Sequence, residues 1–218
     1  MTVPGQAAAA PRGPAAILIG PPGAGKSTVG PLLAARLGVG FVDTDDRIEA
    51  AAGKPVGDIF VEDGEPAFRA LEREAVAQAV AAHDGVIGLG GGAVLDPGTQ
   101  QLLAGLPVVY LATGFATAAK RVGMDVPRPL LLGNPRARLK ALLGQRLPVY
   151  EKLAWITVPT DGRDPDEITA DIEAQITRPP QRGGQPRRPA GGREGGWGGG
   201  RGMARGGVWG GRPPEETP

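Results

Sequence analysis

Gly20-Pro21-Pro22-Gly23-Ala24-Gly25-Lys26-Ser27 is a G-x-x-x-x-G-K-S run, the residue types and spacing that a phosphate-cradling loop requires. Its glycines let successive backbone N–H groups turn towards one point, at the N-terminus of the helix that follows. Gly23, Ala24, Gly25, Lys26, Ser27 and Thr28 are therefore the candidate phosphate-contacting residues. Lys26 adds a mobile positive charge for the β- and γ-phosphates, and the Ser27 hydroxyl can ligate Mg²⁺. The competing explanation is a chance match in a chain with 37 glycines. An apolar run at 15–19 precedes the motif and a Leu/Ala-rich segment follows it to Leu37. That strand–loop–helix context decides for a nucleoside triphosphate site.

A second constellation, Asp43-Thr44-Asp45, ends the short apolar run at 39–42. In extended backbone, residues i and i+2 face one side, so both carboxylates leave the strand's carboxyl end together. That edge is where ligands bind in open α/β sheets. Beside a magnesium nucleotide, one acid can orient the metal or its waters while the other handles an acceptor hydroxyl. Capping a helix that starts at Asp46 is a compatible role for Thr44 or Asp45. Further on, Gly64-Glu65-Pro66-Ala67-Phe68-Arg69 opens a long helix with Glu72 and Arg73 one turn after Arg69. Alone, Arg69 reads as a solvated surface residue. The run at 86–89 then ends in Gly90-Gly91-Gly92, where many phosphate-loop enzymes carry an acidic metal ligand. Successive glycines there are either a flexible turn or bare backbone against which a ligand can lie.

Taken together and in this order, G-x-x-G-x-G-K-S, D-T-D, G-E-x-x-F-R-x-x-E and G-G-G-A-V resemble shikimate kinase, over about residues 15–176. The resemblance implies transfer of the ATP γ-phosphoryl group to the 3-hydroxyl of shikimate, on the route to chorismate and the aromatic amino acids. By position it gives Lys26 and Ser27 the phosphate and Mg²⁺ roles and makes Asp43 a support for Mg²⁺ through water. Asp45 matches the residue that holds substrate hydroxyls and is the family's candidate base. Arg69 and Arg146 match the two arginines on the shikimate carboxylate, a planar anion suited to guanidinium. Glu72 matches an acid that orients Arg69, and Gly90, Gly91 and Gly92 match the wall of the ring.

The same resemblance makes residues 122–135 a lid that excludes water, with Arg128 reaching the phosphates. Arg121 and Arg163 match positions that sandwich adenine. Between Arg128 and Arg146 the chain is one residue shorter than the family spacing, near Gly133-Asn134-Pro135, which bears on lid length. Arg146-Leu147-Pro148-Val149-Tyr150 keeps the family's R-x-P-x-Y helix end, a context that Arg136 and Arg138 lack. Two rival functions are a related small-metabolite kinase, such as a gluconate kinase, and a nucleotide-dependent RNA-binding protein acting through the C-terminal arm.

Positioning these residues calls for an α/β domain. The pattern predicts strands near 15–19, 40–43, 86–89, 107–111 and 155–158. It predicts helices near 26–37, 44–52, 65–82, 98–104, 114–122, 135–147 and 165–176. The expected architecture is a three-layer P-loop kinase fold, a five-stranded parallel sheet flanked by helices, with a lid. Pro31 should bend the first helix. Residues 1–14 are Ala/Pro/Gly-rich and expected to be disordered. Residues 178–218 hold fourteen Gly, seven Pro, eight Arg and three Glu, too little apolar surface to offset ordering entropy. That segment carries +5, which leaves −4 of the total +1 on the remaining residues. Trp197 and Trp209 among its arginines allow an arm that binds single-stranded nucleic acid, but an inert disordered extension is the simpler reading. With no cysteine and one histidine, disulfides and thiolate metal sites are excluded and a histidine zinc site is not expected. No apolar run reaches the roughly 18–20 residues that cross a bilayer. The expectation is a cytoplasmic monomer with no membrane or nucleic-acid partner.

Overall fold

A computed structural model describes residues 13–122 and 135–177. Apart from their margins, the N-terminal segment, the lid with Arg128, and the C-terminal tail lie outside the described residues.

The chain runs β1 (Ala16–Ile19), α1 (Lys26–Leu37), β2 (Phe41–Asp43), α2 (Thr44–Ala52), α3 (Val56–Glu62) and α4 (Glu65–Ala82). It continues through β3 (Val86–Gly88), a 3₁₀ turn (Ala93–Leu95), α5 (Pro97–Leu103), β4 (Val108–Ala112) and α6 (Phe115–Val122), then α7 (Pro135–Leu153), β5 (Ile156–Pro159) and α8 (Pro165–Ile176). The strands form one sheet in the order β2-β3-β1-β4-β5, with every pairing parallel. All carboxyl ends therefore point the same way, and the loops after β1, β2 and β3 meet at one edge.

Period-two alternation splits the strand side chains between two faces. Ala16 and Leu18 of β1 pack with Val29 and Leu33 of α1 and with Ile168 and Ile172 of α8. Ile17 and Ile19 face Val76 and Ala79 of α4, Leu103 of α5 and Tyr150 of α7. Each such aliphatic side chain is worth about 1.5–3 kcal/mol on burial, which is why a central strand apolar on both faces ends up sandwiched. β5 alternates instead, with Ile156 and Val158 buried and Thr157 and Pro159 exposed. That is the pattern of an edge strand, where a terminal Pro is tolerated. Ile48, Ile59, Phe68 and Ala75 form a third cluster that binds α2, α3 and α4 into one unit beside the sheet.

Three local features differ from the sequence expectation. α3 was not expected, because Pro55 and Gly64 bracket a segment short enough to read as a loop. Its helical signal is the i, i+3, i+4 set of Val56, Ile59 and Phe60, all packed in the third cluster. α2 spans Thr44–Ala52, the expected range, but its cap is Asp43 rather than Thr44 or Asp45, with Asp43 Oδ1 accepting the Asp45 N–H at 3.0 Å. α7 continues past Pro148 to Leu153 instead of stopping near 147. Stacking of Tyr150 on Tyr110, with ring centroids 5.2 Å apart, helps offset the hydrogen bond lost at Pro148. α1 likewise runs unbroken through Pro31.

Candidate active site

The loop after β1 carries positive φ at Gly23 (80°) and Gly25 (99°). Gly25 is the N-cap of α1 in the left-handed region, a conformation that a side chain would strain. The first turn of α1 therefore starts at the sheet edge, with the Thr28 N–H donating to the Gly25 carbonyl at 3.1 Å. Lys26 lies along its own loop, with Nζ 2.7 Å from the Gly20 carbonyl and 3.1 Å from that of Pro21. Ser27 Oγ donates to Asp43 Oδ2 at 3.3 Å, which joins the loop to the end of β2. A cavity of about 420 Å³ opens here, lined from the loop by Gly23, Gly25, Lys26, Ser27 and Thr28. Pro22 of the loop, with Asp43, Asp45, Leu89, Gly91 and Arg121 from other elements, completes the lining. Ala24 turns the other way. Its side chain is buried in the core and its N–H donates to Pro21 at 3.1 Å.

The two aspartates converge as expected, though not by strand geometry. Asp43 ends β2, and Asp45 lies in the first turn of α2. Burial raises the Asp43 pKa above the usual carboxylate value. Burial pushes Asp45 further, to about 6, and the neighbouring charges of Asp43 and Glu72 add to it. Its Oδ1 is buried without a hydrogen-bond partner among the described residues.

Gly90, Gly91 and Gly92 form the hub of the other half. A Cβ on Gly90 would stand 2.6 Å from Asp45 Oδ1 and 2.9 Å from Glu72 Oε1, and one on Gly92 would stand 2.6 Å from Arg69 Nη1. None of these three residues has positive φ. A side chain at 90 or 92 would displace those carboxylates or that guanidinium, so glycine leaves the space to the site's own side chains.

Arg69 is held by Glu72 (Nη1 to Oε2, 2.6 Å) and Glu65 (Nη2 to Oε1, 3.0 Å), with its guanidinium 5.8 and 5.3 Å from the ring centroids of Phe60 and Phe68. Glu72 is buried, which raises its pKa against the opposing pull of Arg69. Arg146 is only 4% exposed. Its Nη1 donates to the Gly91 carbonyl at 3.1 Å, and its Nε is the other buried polar side-chain atom left without a partner among the described residues.

At the far end, Arg121 donates to Gly23 and Thr160 carbonyls at 3.3 and 3.0 Å. Arg163 donates to the Pro159 carbonyl and to Asp171 Oδ2, each at 3.1 Å. Both arginines thus dock on consecutive carbonyls at the end of β5, but Arg163 does not line the cavity.

Sequence reasoning missed three supporting residues. Thr44 is fully buried, and its Oγ1 accepts the Gly90 N–H at 3.0 Å. Tyr150 donates its hydroxyl to the Gly91 carbonyl. Asp161 accepts from Thr113 Oγ1 at 2.7 Å and Gly114 N–H at 2.8 Å, tying the loop before α6 to the loop after β5. Thr44 and Tyr150 lay inside quoted motifs, but nothing local marks a hydroxyl that acts on a distant backbone group.

Among the described residues no group of three or more His, Cys, Asp or Glu could hold a metal by itself. No helix among them is long and apolar enough to cross a membrane.

A family model described as shikimate kinase matches residues 22–177. A shikimate kinase of Thermobifida fusca is 66% identical over 163 residues, 75% of this chain and 95% of that protein. One from Saccharopolyspora erythraea is 55% identical over 165 residues, 75% and 94% of the two chains. Among solved structures, shikimate kinase from Acinetobacter baumannii in complex with shikimate is similar at a TM-score of 0.72 and 34% identity, covering 75% of this chain and 92% of that one.

Proposed function

The chain belongs to the shikimate kinase family, and from that premise we propose how its residues transfer the γ-phosphoryl group of ATP to the 3-hydroxyl of shikimate. The observation that carries the assignment of roles is the pair of unpartnered buried atoms on either side of the triglycine. Asp45 Oδ1 is an acceptor and Arg146 Nε a donor. A hydroxy acid offers the complement of both, and an unmade bond at a buried polar atom costs about 1–3 kcal/mol.

In this reading the amides of the phosphate loop and Lys26 hold the phosphates, and Thr28 follows Ser27 at the start of α1. Arg69 and Arg146 grip the carboxylate, Gly90–Gly92 face the ring, and Glu72 keeps Arg69 directed. Asp45 orients the 3-hydroxyl and takes its proton as the new oxygen–phosphorus bond forms. A carboxyl near 6 is ionised at neutral pH yet basic enough for that transfer. A loose phosphoryl-transfer transition state asks for little more. Arg128, from the expected lid at 122–135, would add charge to the transferring group, and Arg121 with Arg163 would flank the adenine.

Ser27 and Asp43 suit Mg²⁺. A hydroxyl and a carboxylate 3.3 Å apart offer hard oxygen donors, too few for a protein-only cage, which matches a cation that keeps phosphate and water ligands. A cation held there would supply charge neutralisation for the β- and γ-phosphates.

The domain is taken to span 15–177 and to act as a monomer without nucleic acid. The test is ADP release coupled to acceptor. Shikimate should support steady turnover with ATP and Mg²⁺, while gluconate and other polyols should not. Turnover with gluconate in place of shikimate would refute the assignment.

A further inference from the structure

The Gly91 carbonyl accepts two side-chain hydrogen bonds, from Arg146 Nη1 and from the hydroxyl of Tyr150. Arg146 and Tyr150 are one turn apart on α7, so they present to the same side. Both are nearly sealed from solvent, at 4% and 1% exposure. Two peptides back, the Gly90 N–H is also fastened, donating to Thr44 Oγ1. Gly91 itself packs against Pro22 of the phosphate loop, where an added Cβ would lie 3.1 Å from the Pro22 ring. Little room remains for the Gly91 carbonyl to turn.

We propose that Tyr150 is a positioning residue for the acceptor: by holding the Gly91 carbonyl together with Arg146, it sets the direction of the Arg146 guanidinium and of the glycine wall. The proposal rests on the kinase reading above. The hydroxyl is suited to a fixed structural bond, because burial pushes its pKa up to about 12, so it remains a donor throughout the working range. The ring is anchored independently by its stack on Tyr110, which leaves the hydroxyl's contribution separable from that of the aromatic body. Without the hydroxyl, Arg146 is the carbonyl's remaining side-chain partner, and the peptide and guanidinium can shift together away from the carboxylate.

Tyr150→Phe keeps the stack and the fill and deletes one hydrogen bond. The KM for shikimate should rise by about 3- to 10-fold, the range a neutral hydrogen bond commands. The KM for ATP and kcat should stay within about twofold of wild type. Tyr110→Phe, which alters the same stack away from the Gly91 carbonyl, should leave both KM values unchanged. In an Arg146→Lys background the Tyr150→Phe penalty should collapse, because the group it positions is gone. An unchanged shikimate KM in Tyr150→Phe would overturn the proposal. So would a penalty that adds in full to that of Arg146→Lys, or an equal rise in both KM values matched by Tyr110→Phe. A wild-type chain without shikimate-dependent ADP release would instead refute the kinase reading, and the proposal with it.

Discussion

Replacing Asp45 by Asn is expected to make the protein more stable and nearly inactive. The carboxyl sits against Gly90, faces Asp43 and Glu72, and has one buried oxygen without a partner. Its pKa stands at about 6 against an ordinary 3.8, so the native state resists its ionisation. At about 1.4 kcal/mol per pH unit, an ionised Asp45 costs the fold up to about 3 kcal/mol at neutral pH. The side chain is only partly buried overall, and solvent screening reduces this to about 1–2 kcal/mol. The sign follows from proton linkage. Between 3.8 and about 6 the native state binds more protons at Asp45 than the unfolded chain does. This group's contribution therefore falls as pH rises through that window and is flat above it. Asp45→Asn removes the charge at almost constant volume. Thermal unfolding at pH 8 should show a Tm higher by about 3–6 °C for a domain of this size. Well below the window the difference should vanish, because wild-type Asp45 is then protonated in both states. Coupled ADP release at pH 8 should show kcat down by about 10²-fold or more, the usual worth of a positioned general base. Near-wild-type kinetics would remove Asp45 from the acceptor site. A Tm at pH 8 equal to or below wild type would refute the claim that burial and like charges strain this carboxylate.

Lys26→Ala should abolish turnover while leaving the circular dichroism spectrum and the unfolding transition close to wild type, since Nζ bonds its own loop carbonyls; retained turnover would undo the phosphate-loop assignment. Arg69→Ala should weaken shikimate binding by about 10²-fold, as loss of a charge-assisted pair implies, with ATP affinity changed far less. Equal losses in the two titrations would refute the carboxylate clamp. Deleting residues 178–218 should leave shikimate phosphorylation unchanged and its salt dependence shallow, whereas loss of a main, salt-sensitive activity would favour an RNA-binding arm.

Local physics made much of this protein readable in advance. The strand–loop–helix around Lys26 is continuous in sequence, so its spacing carries its geometry. The apolar runs at β1, β3 and β4 are buried on both faces and announce themselves without knowledge of their neighbours. α3 and the end of α7 were not readable, because in each the packing of a few side chains overrides a local stop signal. The aspartates show both sides of this limit. Their convergence at the sheet edge was foreseen, but strand alternation was the wrong reason, since a cap hydrogen bond turns the chain into α2 at Thr44.

The residues themselves determined that a phosphate-loop motif follows β1, which acids and arginines are the candidates beside it, and the family the chain belongs to. Only the tertiary structure decided why three glycines stand together at 90–92, and what holds Arg146. Gly90 and Gly92 clear room for Asp45, Glu72 and Arg69, Gly91 lies against Pro22, and Arg146 docks on a carbonyl 55 residues away beside Tyr150. Steric exclusion and hydrogen bonding act between groups that approach within a few ångströms in space, a proximity that folding creates.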